Sequence, residues 1–353
     1  MIKRLSIDNF KCIQKLDLDC TNLNLFIGTN SSGKSTILQG LLFFAQNVNN
    51  AQGLNGDFVS LGQFEENRCF YLRKNEISVS VTDMNDHVMN KEILMVDNQL
   101  KLGTSTVPDE ERFFQDSFDV QKKKIQYLSC HRLGPQNVYQ KDMSLFDMIG
   151  VDGQYAIAYL NAHAYDLVDQ GLCQYKGDYT FLGQVNWWLN YIVNAEIKTI
   201  KIPGTDYVQA SYSMYDINEI RPQNIGSGVS YLVSVIITCL ASPLDSVIVI
   251  ENPEIHLHPS AQSKVSEFLY FISKQNRQLF LESHSDHIFN GFRAGIAKGE
   301  MEKEHINIYF VSQNDSHNTE AMLVDIGRMG RIENPRKDLF DQFDIDMNRM
   351  IGV

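Results

Sequence analysis

Along the first 26 residues apolar and polar positions alternate in two blocks, around Leu5 and Ile7 and around Leu16 and Leu18. This is the period-two pattern of half-buried strands. A more continuous apolar run, Leu23 to Ile27, predicts a buried strand. Next come Gly28-Thr29-Asn30-Ser31-Ser32-Gly33-Lys34-Ser35-Thr36, then Ile37, Leu38, Leu41, Leu42 and Ala45 at helical spacing. The order is strand, glycine-bounded loop, helix. From Phe70 to Leu102 short alternating runs (Ile77, Val79 and Val81; Ile93 to Val96; Leu100 and Leu102) are separated by Asn85-Asp86 and Asp97-Asn98. They predict a small antiparallel meander. The polar, acidic stretch Thr104 to Asp119 is expected to be a flexible loop.

Ile125 to Cys130 returns as a strand and ends in His131-Arg132-Leu133-Gly134-Pro135. Residues from about Met143 to Asn194 are expected to be mainly helical and include Trp187-Trp188. Two strands follow, Ile197 to Ile202 and Tyr207 to Met214. Beyond Gly226-Ser227-Gly228 a helix is expected from Val229 to about Leu240. The apolar run Val247-Ile248-Val249-Ile250 predicts a buried strand ending in Glu251. A helix from Ala261 to Lys274, a strand from Leu279 to Glu282 and a helix from about Asp286 complete an α/β pattern. No internal repeat or low-complexity segment interrupts it.

At 353 residues the chain is long enough for one large or two ordinary domains with a sizeable core. The longest apolar run, Tyr231 to Leu240, is broken by Ser234 and Thr238 and falls short of a bilayer span. The N-terminus alternates like a strand and lacks a signal peptide's apolar stretch. Cys12, Cys20, Cys69, Cys130, Cys173 and Cys239 contain no CxxC pair and read as reduced core thiols. A soluble cytoplasmic protein without membrane contact is expected. Net charge is −12, from 31 basic and 43 acidic residues. A surface that binds DNA throughout is usually basic, so this balance favours a protein partner. The one dense basic run, Lys122-Lys123-Lys124, reads as a solvated face before it reads as a nucleic-acid patch.

Gly28 to Thr36 fits G-x-x-x-x-G-K-[ST] in full. Gly28 and Gly33 permit the twist that aims the backbone amides of the loop, through Asn30, Ser31 and Ser32, at phosphate oxygens. Lys34 reaches the outer phosphates, the Ser35 hydroxyl can ligate Mg²⁺, and Thr36 closes the motif. Glu251, delivered at the end of a buried strand, is the carboxylate such a site needs for its second Mg²⁺ contact. His284, in Leu279-Phe280-Leu281-Glu282-Ser283-His284-Ser285, follows the next strand and can sense a γ-phosphate or hold the attacking water. The bland alternatives are a polar turn after a core strand and a satisfied histidine.

Together these three segments resemble the ABC-type ATPases of the RecF, SMC and OLD kind. Gly28 to Thr36 is similar to that family's Walker A. Glu251-Asn252-Pro253-Glu254 with His256-Leu257-His258-Pro259 resembles its Walker B and D-loop, and Ser283-His284-Ser285 its switch histidine. Asn224-Ile225-Gly226-Ser227-Gly228-Val229-Ser230 resembles a divergent signature motif, which in the family meets the γ-phosphate held by the opposite subunit. The resemblance places Gln63 where the family has its Q-loop, as a further Mg²⁺ contact. Arg132 lies in a loop similar to one in stand-alone members, where it is either a nucleotide-sensing arginine or a turn residue. The tail, Asp325-Ile326-Gly327 through Leu339-Phe340-Asp341-Gln342, resembles a small C-terminal domain appended to some of them.

Three departures stand out. The family's catalytic glutamate follows the Mg²⁺-binding acid, and here Asn252 stands in its place. An amide cannot take a proton from water at neutral pH, so hydrolysis is expected to be slow or to use Glu254. The segment between Walker A and signature lacks sustained heptads, so no long arm is expected. No Toprim nuclease domain is expected either; Asp344-Ile345-Asp346 reads as solvated helix.

The resemblance implies an α/β P-loop NTPase fold, an ABC-ATPase head with a mixed sheet, an antiparallel β subdomain and a helical insertion. The expected division is 1–64 with Walker A, 65–214 as β subdomain and insertion, 215–312 with signature, Walker B and switch histidine, and 313–353 as extension. The expected cofactors are ATP and Mg²⁺, with Glu251, Asn252, Glu254 and His284 around the attacking water and Ser227 and Gly228 facing a second copy. On this reading the chain is an ATPase that pairs head-to-tail on ATP and regulates a nuclease-like effector in a prokaryotic anti-phage system. The alternatives are a RecF-like repair clamp that binds DNA directly, a binding-only scaffold silenced by Asn252, and a metal-dependent hydrolase using His256, His258, His284, His287 and Asp286.

Overall fold

The computed structural model describes residues 1–340 and 342–351. Asp341, part of the tail motif above, lies outside the described residues. The chain forms two compact units: Arg112–Leu281, and Ile2–Glu111 together with the chain from Glu282 onward. The second is the P-loop unit and the first the middle unit.

The first half of the P-loop unit contains β1 (Ile2–Phe10), β2 (Ile13–Asp19), β3 (Leu23–Gly28), α1 (Lys34–Gln46), α2 (Phe64–Asn67), β4 (Glu76–Asp83), β5 (Val88–Val96), β6 (Gln99–Thr106) and the start of α3 (Pro108–Ser117). The meander β4-β5-β6 forms as its alternation predicts. It joins β1 and β2 in one antiparallel sheet of order β2-β1-β4-β5-β6. Ile77, Val79 and Val81 of β4 are fully buried, as are Leu5 and Ile7 of β1. That is the apolar side of an antiparallel sheet with one covered face. The loop expected from Thr104 to Asp119 is instead the end of β6 followed by α3. Phe114 in the helix and Phe118 just past its end, each 2% exposed, are joined by the Phe118 amide donating to the Phe114 carbonyl (2.9 Å) and face the same side. The charged residues among them hide that spacing from a composition argument.

The middle unit contains β7 (Ile125–Leu128), β8 (Tyr139–Gln140), α4 (Ala156–His163), α5 (Phe181–Val193), β9 (Ala195–Lys201), β10 (Tyr207–Met214), β11 (Ile217–Ile220), α6 (Ser227–Ala241), β12 (Ser246–Glu251), α7 (Pro259–Ser273) and β13 (Arg277–Glu282). Strand β12 runs parallel to β7, pairing Val247 with Ile125 and Ile250 with Leu128. Every residue of β12 and β13 is buried, which explains the apolar runs Val247 to Ile250 and Leu279 to Leu281 within them. The helical expectation for 143–194 holds only for α4 and α5. Between them the chain turns through Asp169, Gly171, Gly177 and Asp178, with buried Gln184 accepting from the amides of Gln174 (2.9 Å) and Tyr175 (3.1 Å). The three lysines at 122–124 are all engaged: Lys122 with Asp116 and Asp119, Lys123 over the Tyr159 ring, and Lys124 donating to the Leu244 carbonyl. They secure local structure and do not form an open basic stripe.

The chain then completes the P-loop unit with α8 (Asp286–Lys298), β14 (Ile306–Gln313), β15 (Thr319–Leu323) and α9 (Gln342–Ile351). Strand β14 lies parallel to β3, with Val311 opposite Gly28, and antiparallel to β15. The sheet is therefore mixed. Among the described residues no helix is long and apolar enough to cross a membrane.

Candidate functional site

The loop Gly28–Thr36 is shaped by what presses on it. Gly28 has φ +143, and a β-carbon there would lie 2.1 Å from the Val311 carbonyl oxygen of β14. Gly33 has φ +110, and its β-carbon would fall 2.6 Å from Thr319 Oγ1. Only glycine satisfies both the backbone angle and the space. The β14–β15 pair also braces the loop: Thr319 Oγ1 donates to the Ser32 carbonyl (3.0 Å), and Gln313 Nε2 to that of Ser31 (3.3 Å). The loop is thus held from behind while Thr29, Asn30 and Ser31 stay exposed.

Lys34, the first residue of α1, is only 3% exposed. Its Nζ donates to the carbonyls of Gly28 (2.9 Å) and Thr29 (2.7 Å). Burial lowers its pKa from the usual lysine value, and the nearby Glu282 opposes that shift. Ser35 Oγ donates to Glu282 Oε1 at 2.9 Å. Glu282 is 4% exposed, and its second carboxylate oxygen, Oε2, is buried with no hydrogen-bond partner. His284 Nε2 lies 3.7 Å from Glu282 Oε1, on an exposed side chain. The Ser283 amide donates to the Phe26 carbonyl of β3 (3.1 Å). In front of Thr29 to Ser32 opens a cleft of about 530 Å³, lined opposite by Arg336 and Lys337 of the tail. Gln63 lies exposed before α2, where its backbone amide donates to Glu66 Oε2 at 2.9 Å.

In the middle unit, β12 ends in Glu251, and each of its carboxylate oxygens accepts one hydrogen bond. Oε1 accepts from Tyr127 Oη (3.1 Å) and Oε2 from the Cys130 amide (3.0 Å). Burial, then Glu251, pushes the Tyr127 phenol well above its usual pKa, so it stays a donor. Arg132 is 3% exposed, and its guanidinium donates to three backbone carbonyls: Ser129 (3.1 Å), Glu251 (2.5 Å) and Asn252 (2.5 Å). Burial pushes its pKa down to about 10 against the opposing pull of Glu254. Arg132 is thus the anchor of the turn after β12. Asn252 takes φ +45, a left-handed conformation that asparagine tolerates better than most residues. Glu254 is buried at 7% exposure beside the Arg132 charge.

The glycine-serine segment opens α6, with Gly226 as N-cap, Ser227 exposed and no side chain capping the first turn. A β-carbon on Gly228 would meet the His256 carbonyl oxygen at 2.5 Å, so the start of α6 lies directly on the turn after β12. Gly228→Ala is expected to destabilise the chain by about 1–3 kcal/mol, because two backbones must separate; urea denaturation measures it. His258 Nδ1 caps α7 at the Ser260 amide (3.4 Å), and His256 tilts against the Tyr231 ring. Among the described residues no three His, Cys, Asp or Glu side chains gather as a metal-ligand set.

The structure brings Lys34, Ser35 and His284 together in the P-loop unit, and Glu251, Asn252, Glu254, Arg132, Ser227 and Gly228 in the middle unit. Sequence reasoning passed over Glu282, Arg336, Lys337 and Tyr127. Glu282 alone carried a usable signal: like Glu251 it is an acid that directly follows an apolar run, Leu279-Phe280-Leu281, at the end of a buried strand.

The profile described as "AAA ATPase domain" matches residues 1–158 and 175–289. A stretch of 81 residues is 26% identical to the DNA replication and repair protein RecF of Lactobacillus acidophilus, covering 23% of this chain and 22% of that protein. Among solved structures, an SMC head bound to the C-winged helix domain of ScpA superposes with a TM-score of 0.56 at 12% identity, covering 92% of this chain and 98% of that one. An SMC head with an extended coiled coil, bound to the C-terminal domain of ScpA derived from Pyrococcus furiosus, gives a TM-score of 0.54 at 12% identity, covering 100% and 99%.

Proposed function

Since the chain belongs to the AAA ATPase domain family and has the fold of an SMC head, we propose that it binds ATP with Mg²⁺ at Gly28 to Thr36, hydrolyses it, and works as an ATP-dependent switch subunit. The observation that carries this is Lys34: a buried ammonium resting on the carbonyls of its own loop, beside an open cleft. A cation in that position exchanges weak acceptors for phosphate oxygens when a nucleotide arrives. The loop amides and Lys34 hold the phosphates, with Ser35 on the Mg²⁺ side and His284 near the γ-phosphate. In hydrolysis, water oxygen attacks the γ-phosphorus, the bond to the β–γ bridging oxygen breaks, and ADP and phosphate leave. Asn252 cannot accept the water's proton, so Glu254 is the base we assign, and slow turnover follows from its place two residues further on.

Two chains pair on ATP, each P-loop facing the Ser227 to Ser230 segment of the other. The bare N-terminus of α6, with no side chain over its first amides, supports this, since such an end suits an anion. The net charge of −12 and the engaged lysines at 122–124 favour a protein effector over DNA as the regulated partner. A nuclease-like effector in anti-phage defence is the partner class we assign. Mass photometry is the test. Wild type is expected to shift from 40.3 kDa to about twice that on ATP, and Ser227→Arg to bind ATP without the shift. A monomer at saturating ATP would sink the switch reading.

The RecF match favours one second reading, direct DNA binding. It requires ATP-dependent, salt-sensitive retention on duplex DNA; no retention at low salt removes it.

A further inference from the structure

We propose that Glu282 is a Mg²⁺-site carboxylate of the P-loop, in the position that motif spacing would give to Glu251. The inference rests on the nucleotide reading above and deepens it. Four observations meet at this residue. Its Oε1 accepts the hydrogen of Ser35 Oγ at 2.9 Å, and Ser35 stands where the G-x-x-x-x-G-K-[ST] motif supplies a hydroxyl for Mg²⁺. Two oxygens that are adjacent ligands of an octahedral Mg²⁺, each at about 2.1 Å, sit about 3 Å apart. The Ser35–Glu282 spacing therefore suits a cation entering between them with little movement of either oxygen. Its Oε2 is buried without a hydrogen-bond partner, on a side chain only 6% exposed. A buried carboxylate oxygen in that condition is costly unless something cationic or protic arrives.

The third observation is the alternative acid. Both carboxylate oxygens of Glu251 already accept a hydrogen bond, from Tyr127 Oη and the Cys130 amide, so neither is left without a partner as Glu282 Oε2 is. The fourth is position. Glu282 ends β13, and the next residue, Ser283, is bonded through its amide to Phe26 of β3, two residues before the loop begins. The carboxylate is thereby tied to the strand that carries the phosphates, so its aim is fixed by backbone and not by a flexible turn. Mg²⁺ is commonly held by one or two carboxylates, a hydroxyl, phosphate oxygens and water, so no larger acidic cluster is needed. Glu282 and Ser35 would hold the ion, and a bound Mg²⁺ would supply positive charge to offset that of the phosphates beside Lys34.

The test separates metal binding from catalysis. Binding of a non-hydrolysable ATP analogue is measured by calorimetry in chelator and in saturating Mg²⁺, for wild type, Glu282→Gln, Glu282→Asp and Glu251→Gln, with folding checked by circular dichroism. Wild type is expected to bind in chelator and to tighten with Mg²⁺. Glu282→Gln keeps the chelator affinity and loses the Mg²⁺ gain by about tenfold or more, while Glu282→Asp, which keeps the charge, retains part of it. Mn²⁺ bound with the analogue, read by electron paramagnetic resonance, is expected to be held about tenfold or more weakly in Glu282→Gln than in wild type. A Glu282→Gln chain with the full Mg²⁺ gain and Mn²⁺ signal overturns the proposal. So does loss of both in Glu251→Gln alone. Wild type that binds no analogue under either condition fails the nucleotide reading itself, a different result.

Discussion

Alanine at Lys34 is expected to lower ATP turnover by at least about 10²-fold, the scale set by removing one well-placed donor to a developing charge. The expectation follows from geometry as much as from motif. Lys34 is 3% exposed, so its ammonium cannot be replaced by a neighbour swinging in from the surface. Its present acceptors, the carbonyls of Gly28 and Thr29, belong to residues that are half-buried and exposed, so water can take over when the side chain is cut back. The fold should therefore survive while the function goes. Lys34→Arg is not expected to restore turnover, because a planar fork cannot take the place of a compact ammonium in a buried slot. A coupled phosphate assay beside a thermal melt reads both quantities. Turnover unchanged by Lys34→Ala would end the nucleotide assignment.

The second large effect is on stability. Arg132→Ala is expected to destabilise the middle unit by about 3–5 kcal/mol, the range for breaking a buried charge contact. Truncation leaves the carbonyls of Ser129, Glu251 and Asn252 without their donor and Glu254 without the neighbouring positive charge. Arg132→Lys recovers only part, since one ammonium cannot span acceptors that the guanidinium reaches from two separate nitrogens. Hydrogen exchange should rise at residues 125–135 and 251–258 together. If Arg132→Ala melts like wild type but loses nucleotide affinity, the arginine senses nucleotide and does not anchor the turn.

Where the sequence is explicit, it is explicit for physical reasons. The P-loop is legible because phosphate wrapping needs glycine, lysine and a hydroxyl at fixed spacing, and strand β3 and helix α1 flank it with clear periodicity. The meander β4-β5-β6 is legible because one covered face imposes alternation. Helix α3 is not, because Phe114 and Phe118 carry its burial inside a run of charges. Nothing in the motif pattern points to β14 and β15, whose service to the loop is a carbonyl at Val311 and a hydroxyl at Thr319. Arg132 stays ambiguous in sequence since a guanidinium that grips backbone carbonyls has no signature in its partners' identities. Glu282 was masked by the histidine two residues on, the more familiar motif residue.

The hydroxyl of Thr319 that secures Ser32 lies 287 residues further along the chain. A ribosome adding about 5–20 residues per second needs roughly 15–60 s to travel that distance. The middle unit, contiguous from Arg112 to Leu281, is fully synthesised only about 2–8 s before then at the same rate. The P-loop must wait for β14 and β15, so the nascent chain passes through a stage in which the loop is made and unbraced. A truncation that removes β15 therefore leaves a chain with its whole Gly28 to Thr36 sequence and without the Thr319 brace.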